Sequence, residues 1–60
     1  MLEEKTGITV SALNPSGVIK VNGTEFPAKS QSGFIESGLT VEIIKKEAFG
    51  FLVAKEETNN

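Results

Sequence analysis

The 60-residue sequence predicts an all-β domain, a small barrel of five short strands. Glycine occurs six times, so few uninterrupted segments are long enough for a helix. The segments between the glycines are rich in Val, Ile, Thr and Phe, which favour strands. Closing the strands into a barrel also removes the sheet edges that promote aggregation. An SH3-like barrel fits the same pattern.

Two turn signals define the first half of the barrel. A strand over residues 7–13 ends at Asn14-Pro15-Ser16-Gly17, where proline presets φ for a β-turn. A second strand over 18–21 ends at Asn22-Gly23. This pair is the strongest short signal for a hairpin, because a type I′ turn requires positive φ at both central residues.

The third strand is predicted over residues 24–30 and contains Pro27. Because proline cannot donate a hydrogen bond to the ladder, this part of the strand is expected at an edge or a bulge. A longer connection follows over 31–38, with the apolar pair Phe34-Ile35 between two glycines. We interpret this pair as a plug over one end of the core, since so small a domain needs every apolar side chain it has.

The fourth strand is predicted over 39–46 and the fifth over 51–55, joined by a turn at 47–50. The polar segments 1–6 and 56–60 are interpreted as tails on either side of a barrel at 7–55.

The composition excludes most kinds of catalytic and metal site. The chain has no Cys and no His, so it cannot form disulfides, thiolate metal sites, or Ser-His and Cys-His nucleophile pairs. We therefore expect no catalytic residue, no bound metal and no cofactor, and we predict that the domain is not an enzyme.

The charge of the chain disfavours nucleic acid as a partner. The formal net charge is −2, and the six basic residues are scattered among eight acidic ones. Nucleic-acid binding normally requires a basic face. No apolar run approaches the roughly 20 residues that a membrane span needs. Binding of an oligonucleotide or a small ligand is kept as the alternative function, because other barrels of this kind bind such ligands.

The sequence has more apolar side chains than a small core can hold. The surplus side chains predict a contact surface for another protein. One register of the last strand directs Phe49 and Phe51 outward, and the opposite register exposes Leu52 instead. Val18 and Ile44 are out of phase with the inward apolar residues of their own strands. Phe49, Phe51, Val18 and Ile44 are therefore the candidate partner-binding residues.

Several short motifs follow one another with a distinctive order and spacing. They are Gly7, Leu13, Pro15-Ser16-Gly17, Asn22-Gly23, Phe26 with Ala28, Gly33-Phe34-Ile35, Gly38 with Val41, and Gly50-Phe51-Leu52-Val53. Together they resemble the C-terminal soluble domain of the NfeD family, over residues 7 to 54. The family often has Ala at the position of Thr9 and Arg at that of Asn14, and neither difference conflicts with a barrel.

The resemblance implies a five-stranded OB-fold barrel that hangs from a protein of the bacterial cell membrane. It implies a non-catalytic protein-interaction module that works with stomatin- or flotillin-like membrane proteins. Longer members of the family carry a separate serine protease domain with a Ser-Lys dyad. The motifs of that domain match no position here, so the resemblance assigns no catalytic role to any residue of this chain.

Overall fold

Five β-strands make up the regular structure of residues 6–56, which are the residues that the computed structural model describes. Most of the two predicted tails, 1–6 and 56–60, lies outside this range. The strands are β1 (Thr6–Thr9), β2 (Ser16–Val21), β3 (Thr24–Ser30), β4 (Thr40–Glu47) and β5 (Gly50–Lys55).

The strands form a closed barrel in the order β1-β2-β3-β5-β4, with β4 returning to β1. β3 and β5 run parallel, and every other neighbouring pair is antiparallel. This is the topology of the OB fold rather than of an SH3-like barrel. The predicted all-β barrel and the OB fold implied by the resemblance are therefore confirmed.

The hairpin between β2 and β3 follows directly from its sequence. Asn22 and Gly23 have φ values of 55° and 86°. They are flanked by the paired residues Val21 and Thr24. Two adjacent residues with positive φ are the requirement of a type I′ turn, so the predicted hairpin and its register are confirmed.

The connection from β1 to β2 differs from the prediction at both ends. β1 ends at Thr9, because the N–H groups of Val10 and Ser11 both donate to the carbonyl of Val18, at 2.8 and 3.3 Å, and interrupt the ladder. β2 begins at Ser16, two residues before the predicted start. The reason is that the residues at 16 and 17 already pair with β3. The Asn14–Pro15 peptide bond within this connection is cis.

The barrel encloses a small apolar core. Its buried apolar residues are Leu13, Ile19, Val21, Ala28, Ile35, Val41 and Val53. Ile35 belongs to the connection between β3 and β4 and exchanges two backbone hydrogen bonds with Leu13, of 2.8 and 3.0 Å. Its neighbour Phe34 is 58% exposed. The predicted plug is thus Ile35 alone, and Phe34 projects from the loop.

Thr9 fastens the same connection to the barrel through a buried hydroxyl group. Its Oγ1 donates to the carbonyl of Glu36 at 2.7 Å and accepts the N–H of Leu39 at 3.0 Å. The backbone of Thr9 adds bonds to Leu39 and Gly38. Thr9 is only 2% exposed, so water cannot replace these bonds without opening the barrel.

We predict that Thr9→Val destabilises the domain by about 1–2 kcal/mol, because valine keeps the shape of threonine and leaves two polar backbone groups without the hydroxyl group. Urea unfolding followed by circular dichroism would measure the change. Thr9→Ser is the matched control, since it keeps the hydroxyl group and should cost less than Thr9→Val. An unfolding midpoint of Thr9→Val equal to that of the unmodified chain would contradict this role.

Candidate functional site

Three phenylalanines gather where β5 begins. The rings of Phe26 and Phe51 meet edge to face, with centroids 5.2 Å apart and an interplanar angle of 82°. Both are half-buried and pack against the core. Phe49 lies in the turn between β4 and β5 and is 45% exposed. The cluster therefore joins the interior of the barrel to its surface.

Gly50 determines where these rings lie, because its backbone passes very close to β3. A Cβ atom at this position would clash with the carbonyl oxygen of Pro27. Its φ of 146° is also a conformation that favours glycine. The close approach lays the residues on either side, Phe49 and Phe51, along β3.

Pro27 marks the start of the pairing between β3 and β5. On one side it pairs with Val18 of β2. On the other side, the parallel pairing begins one residue later, at Ala28 with Phe51. Proline has no N–H group to contribute to that side. The prediction that this part of β3 lies at an edge is therefore confirmed.

Two lysines lie against the phenylalanine rings. Lys29 Nζ is 5.8 Å from the centroid of the Phe49 ring, and Lys46 Nζ is 5.9 Å from that of Phe51. Both distances fall within the range of cation–π attraction. Within residues 6–56 the single ion pair joins Lys45 to Glu47, at 3.5 Å. The ammonium groups of Lys29 and Lys46 therefore have no carboxylate partner among the described residues.

A shallow cavity of about 280 Å³ adjoins Phe26, and its lining is mostly apolar. Val18, Phe26 and Pro27 form most of it, and Glu25 lies at its margin. We call the residues grouped around the start of β5, namely the three rings, the two lysines beside them and the apolar lining of this cavity, the aromatic rim. It consists of Val18, Phe26, Pro27, Lys29, Lys46, Phe49 and Phe51.

The structure brings three of the four candidate contact residues to this rim. Phe49 is exposed, as predicted, whereas Val18 is half-buried and lines the cavity. Phe51 lies on the rim but is half-buried, because Val53 faces the core and Phe51 shares its side of β5. The last strand thus has the opposite register to the one that would direct Phe51 outward, and Leu52 lies on the outer side.

Ile44 lies apart from the other three candidates. It is exposed at an irregularity in the pairing of β4 with β5, which shifts between Ile43 and Lys45. It lines a different cavity of about 520 Å³, which shares no lining residue with the cavity beside Val18. The predicted patch of four residues is therefore two separate surfaces.

Sequence reasoning did not place Phe26, Lys29 and Lys46 with the candidate residues. They join the rim through the parallel pairing of β3 with β5 and the pairing of Lys46 with Phe51. No local turn signal encodes a parallel pairing between strands so distant in sequence. The short motif Phe49-Gly50-Phe51 is the one sequence feature that points to it, since a glycine between large rings suggests a close backbone approach.

The described part of the chain contains no group of three or more acidic residues placed to hold a metal ion. No helix among residues 6–56 could cross a membrane.

Comparison with known proteins identifies two similarities. The model of the NfeD-like C-terminal, partner-binding domain matches residues 1–55. Among solved structures, the chain is similar to the C-terminal domain of stomatin operon partner protein 1510-C from Pyrococcus horikoshii. The two are 34% identical, with a TM-score of 0.85, over 92% of this chain and 88% of the other. No curated protein matches the chain.

The unequal burial of the two phenylalanines beside Gly50 predicts unequal effects on stability. Phe51→Ser should destabilise the domain by about 2 kcal/mol, because it removes a half-buried ring that packs on the core. Phe49→Ser should change stability by less than about 0.5 kcal/mol, as expected of an exposed side chain. Urea unfolding of both variants tests this difference. Equal destabilisation would mean that the ring of Phe49 belongs to the core.

Proposed function

This chain belongs to the family of NfeD-like C-terminal, partner-binding domains, and from this premise we propose that its aromatic rim binds another protein without catalysis. The observation that carries the proposal is the position of Phe49. A turn closed by Gly50 holds its ring at the surface, two residues before Phe51, whose ring is fixed in the barrel against Phe26. Aromatic side chains held in this way are typical centres of protein–protein interfaces.

The rim has the two properties that such an interface requires. Its half-buried part is rigid, because Phe26 and Phe51 pack both on each other and on the core. Its outer part is accessible to a partner, because Phe49 and Lys29 are exposed. Rigid aromatic side chains reduce the conformational entropy lost on binding. Val18, Phe49 and Phe51 are therefore the proposed contact residues, and Ile44 would serve a second, independent contact.

A non-catalytic role agrees with the side chains that the sequence offers. Neither histidine nor cysteine is present anywhere in the chain, so the usual general base and the usual sulfur nucleophile are missing. Any proteolysis by a longer parent protein would belong to a separate serine protease domain.

We propose a stomatin- or flotillin-like membrane protein as the partner. The proposal is supported by the similar domain from Pyrococcus horikoshii, which is described as part of a stomatin operon partner protein. It extends to a parent protein in the cell membrane, from which this domain would project.

Replacing Phe49 should weaken the association with a stomatin-like protein from the same organism. We expect Phe49→Ser to raise the Kd at least about tenfold, because a central aromatic contact commonly contributes more than 1 kcal/mol. Phe34→Ser is the matched control, since Phe34 is also exposed but lies in a different loop. Ser32 of that loop accepts a hydrogen bond from the N–H of Lys55, at the end of β5 opposite to Phe49. Isothermal titration calorimetry would measure both. Equal losses in the two variants would contradict a specific role of the rim.

Location of the parent protein is tested on cells of the source organism. An antibody raised against this domain should detect a band larger than 6.4 kDa in the membrane fraction. A band of about 6.4 kDa confined to the soluble fraction would contradict the proposed membrane parent. The assay does not depend on the aromatic rim, so it separates the location from the binding site.

A further inference from the structure

The charges on the aromatic rim are unlike those of the chain as a whole. The chain has a net charge of −2. The rim nevertheless presents Lys29 and Lys46, and no carboxylate of residues 6–56 lies within ion-pair distance of either ammonium group. Lys45 lies next to this surface but is paired with Glu47. A partner that docks on the rim therefore meets two cations whose charge is not neutralised within the described barrel.

The positions of these two cations favour carboxylates as their ligands. Each Nζ lies close to the ring of a phenylalanine, at 5.8 and 5.9 Å, and is thus held beside apolar surface. When a partner covers the rings, the ammonium groups lose water. Burying a charge is costly unless it is paired, and a carboxylate supplies a charge-assisted hydrogen bond.

The cavity beside Phe26 has the size and lining for an apolar side chain. Its volume of about 280 Å³ is at the lower limit of the roughly 300–1,000 Å³ that small-molecule sites occupy. Val18, Phe26 and Pro27 give it apolar walls. One leucine or phenylalanine of a partner would fill it better than a separate small ligand would.

Glu25 gives the surface a direction. It lies at the margin of the cavity, and in the register of the β2–β3 ladder it is opposite Lys20. Its carboxylate would repel an acidic partner at this end of the cavity, whereas Lys29, which shares its face of β3 beyond Pro27, and Lys46, beside Phe51 on β4, attract one nearer to β5. A bound segment would therefore place its carboxylates towards β5 and its apolar side chain in the cavity.

We propose that the aromatic rim recognises an extended acidic segment of its protein partner, with an apolar residue that enters the cavity and carboxylates that bind Lys29 and Lys46. This inference rests on the proposed function and specifies the chemistry of the partner. A single-stranded oligonucleotide is disfavoured, because a phosphate at each nucleotide needs a longer basic path than two lysines beside Glu25 provide.

Three probes of similar length test the proposal on the isotope-labelled domain. They are a short peptide of Glu, Leu and Ser, a peptide in which Lys replaces each Glu, and oligothymidylate. The acidic peptide should shift the amide resonances of Lys29, Lys46 and Phe49, and its affinity should fall on addition of salt. Stronger binding of the basic peptide or of the oligonucleotide, or no binding of the acidic peptide, would overturn the proposal.

Removal of the two cations provides the second test. The double variant Lys29→Gln, Lys46→Gln should bind the acidic peptide at least tenfold more weakly. Lys55→Gln is the matched control, since Lys55 is an exposed lysine at the opposite end of β5 and should leave the affinity unchanged. An equal loss in the control would indicate attraction by overall charge and would overturn the proposal.

The same variants distinguish this inference from the proposed function. If Phe49→Ser weakens binding of the stomatin-like protein and the double lysine variant does not, the rim binds its partner but the acidic segment is wrong. If neither weakens it, the proposed function of the rim and the inference both fail. If both weaken it, and Lys55→Gln does not, the inference is supported.

Discussion

The close approach of Gly50 to the carbonyl of Pro27 is the contact on which the rest of this structure depends. A chain of 60 residues with no cysteine has few means of holding a barrel closed. The closure here is a parallel pairing of three residues of β3 with three of β5, and it begins one residue beyond the close approach of Gly50 to Pro27. The same contact places Phe49 and Phe51, so the closure of the barrel and the proposed binding surface have a common origin.

Local signals in the sequence predicted the parts of the fold that depend on neighbouring residues. Asn22-Gly23 specifies its hairpin completely, because the φ values that the turn needs are accessible to those two residues. Pro27 could be assigned to an edge because a missing N–H group is a property of the residue itself. The parallel closure could not be predicted, since it joins strands that no short turn connects.

The candidate site, too, could be predicted from the sequence only in part. Periodicity of two separates the faces of a strand but does not say which face is inward. On β1 the apolar side chain of Ile8 and the following Val10 point to solvent, and the hydroxyl of Thr9 points to the core. On β5 the burial of Val53 turns Phe51 inward, so one of the four candidate residues lies half inside the barrel. Only tertiary packing decides such a choice, because both faces of these strands carry apolar residues.

Among residues 6–56, β5 is the last strand in chain order, and this has a consequence for how the barrel is made. β5 supplies Phe51 and closes the barrel, and the strands it joins, β3 and β4, are both synthesised before it. An incomplete chain emerging from the ribosome has neither the closure nor the assembled rim. A partner that recognises the rim would thus bind only finished domains, and its binding energy would add to their stability against unfolding. Assembly with the partner would then act as a check that folding is complete.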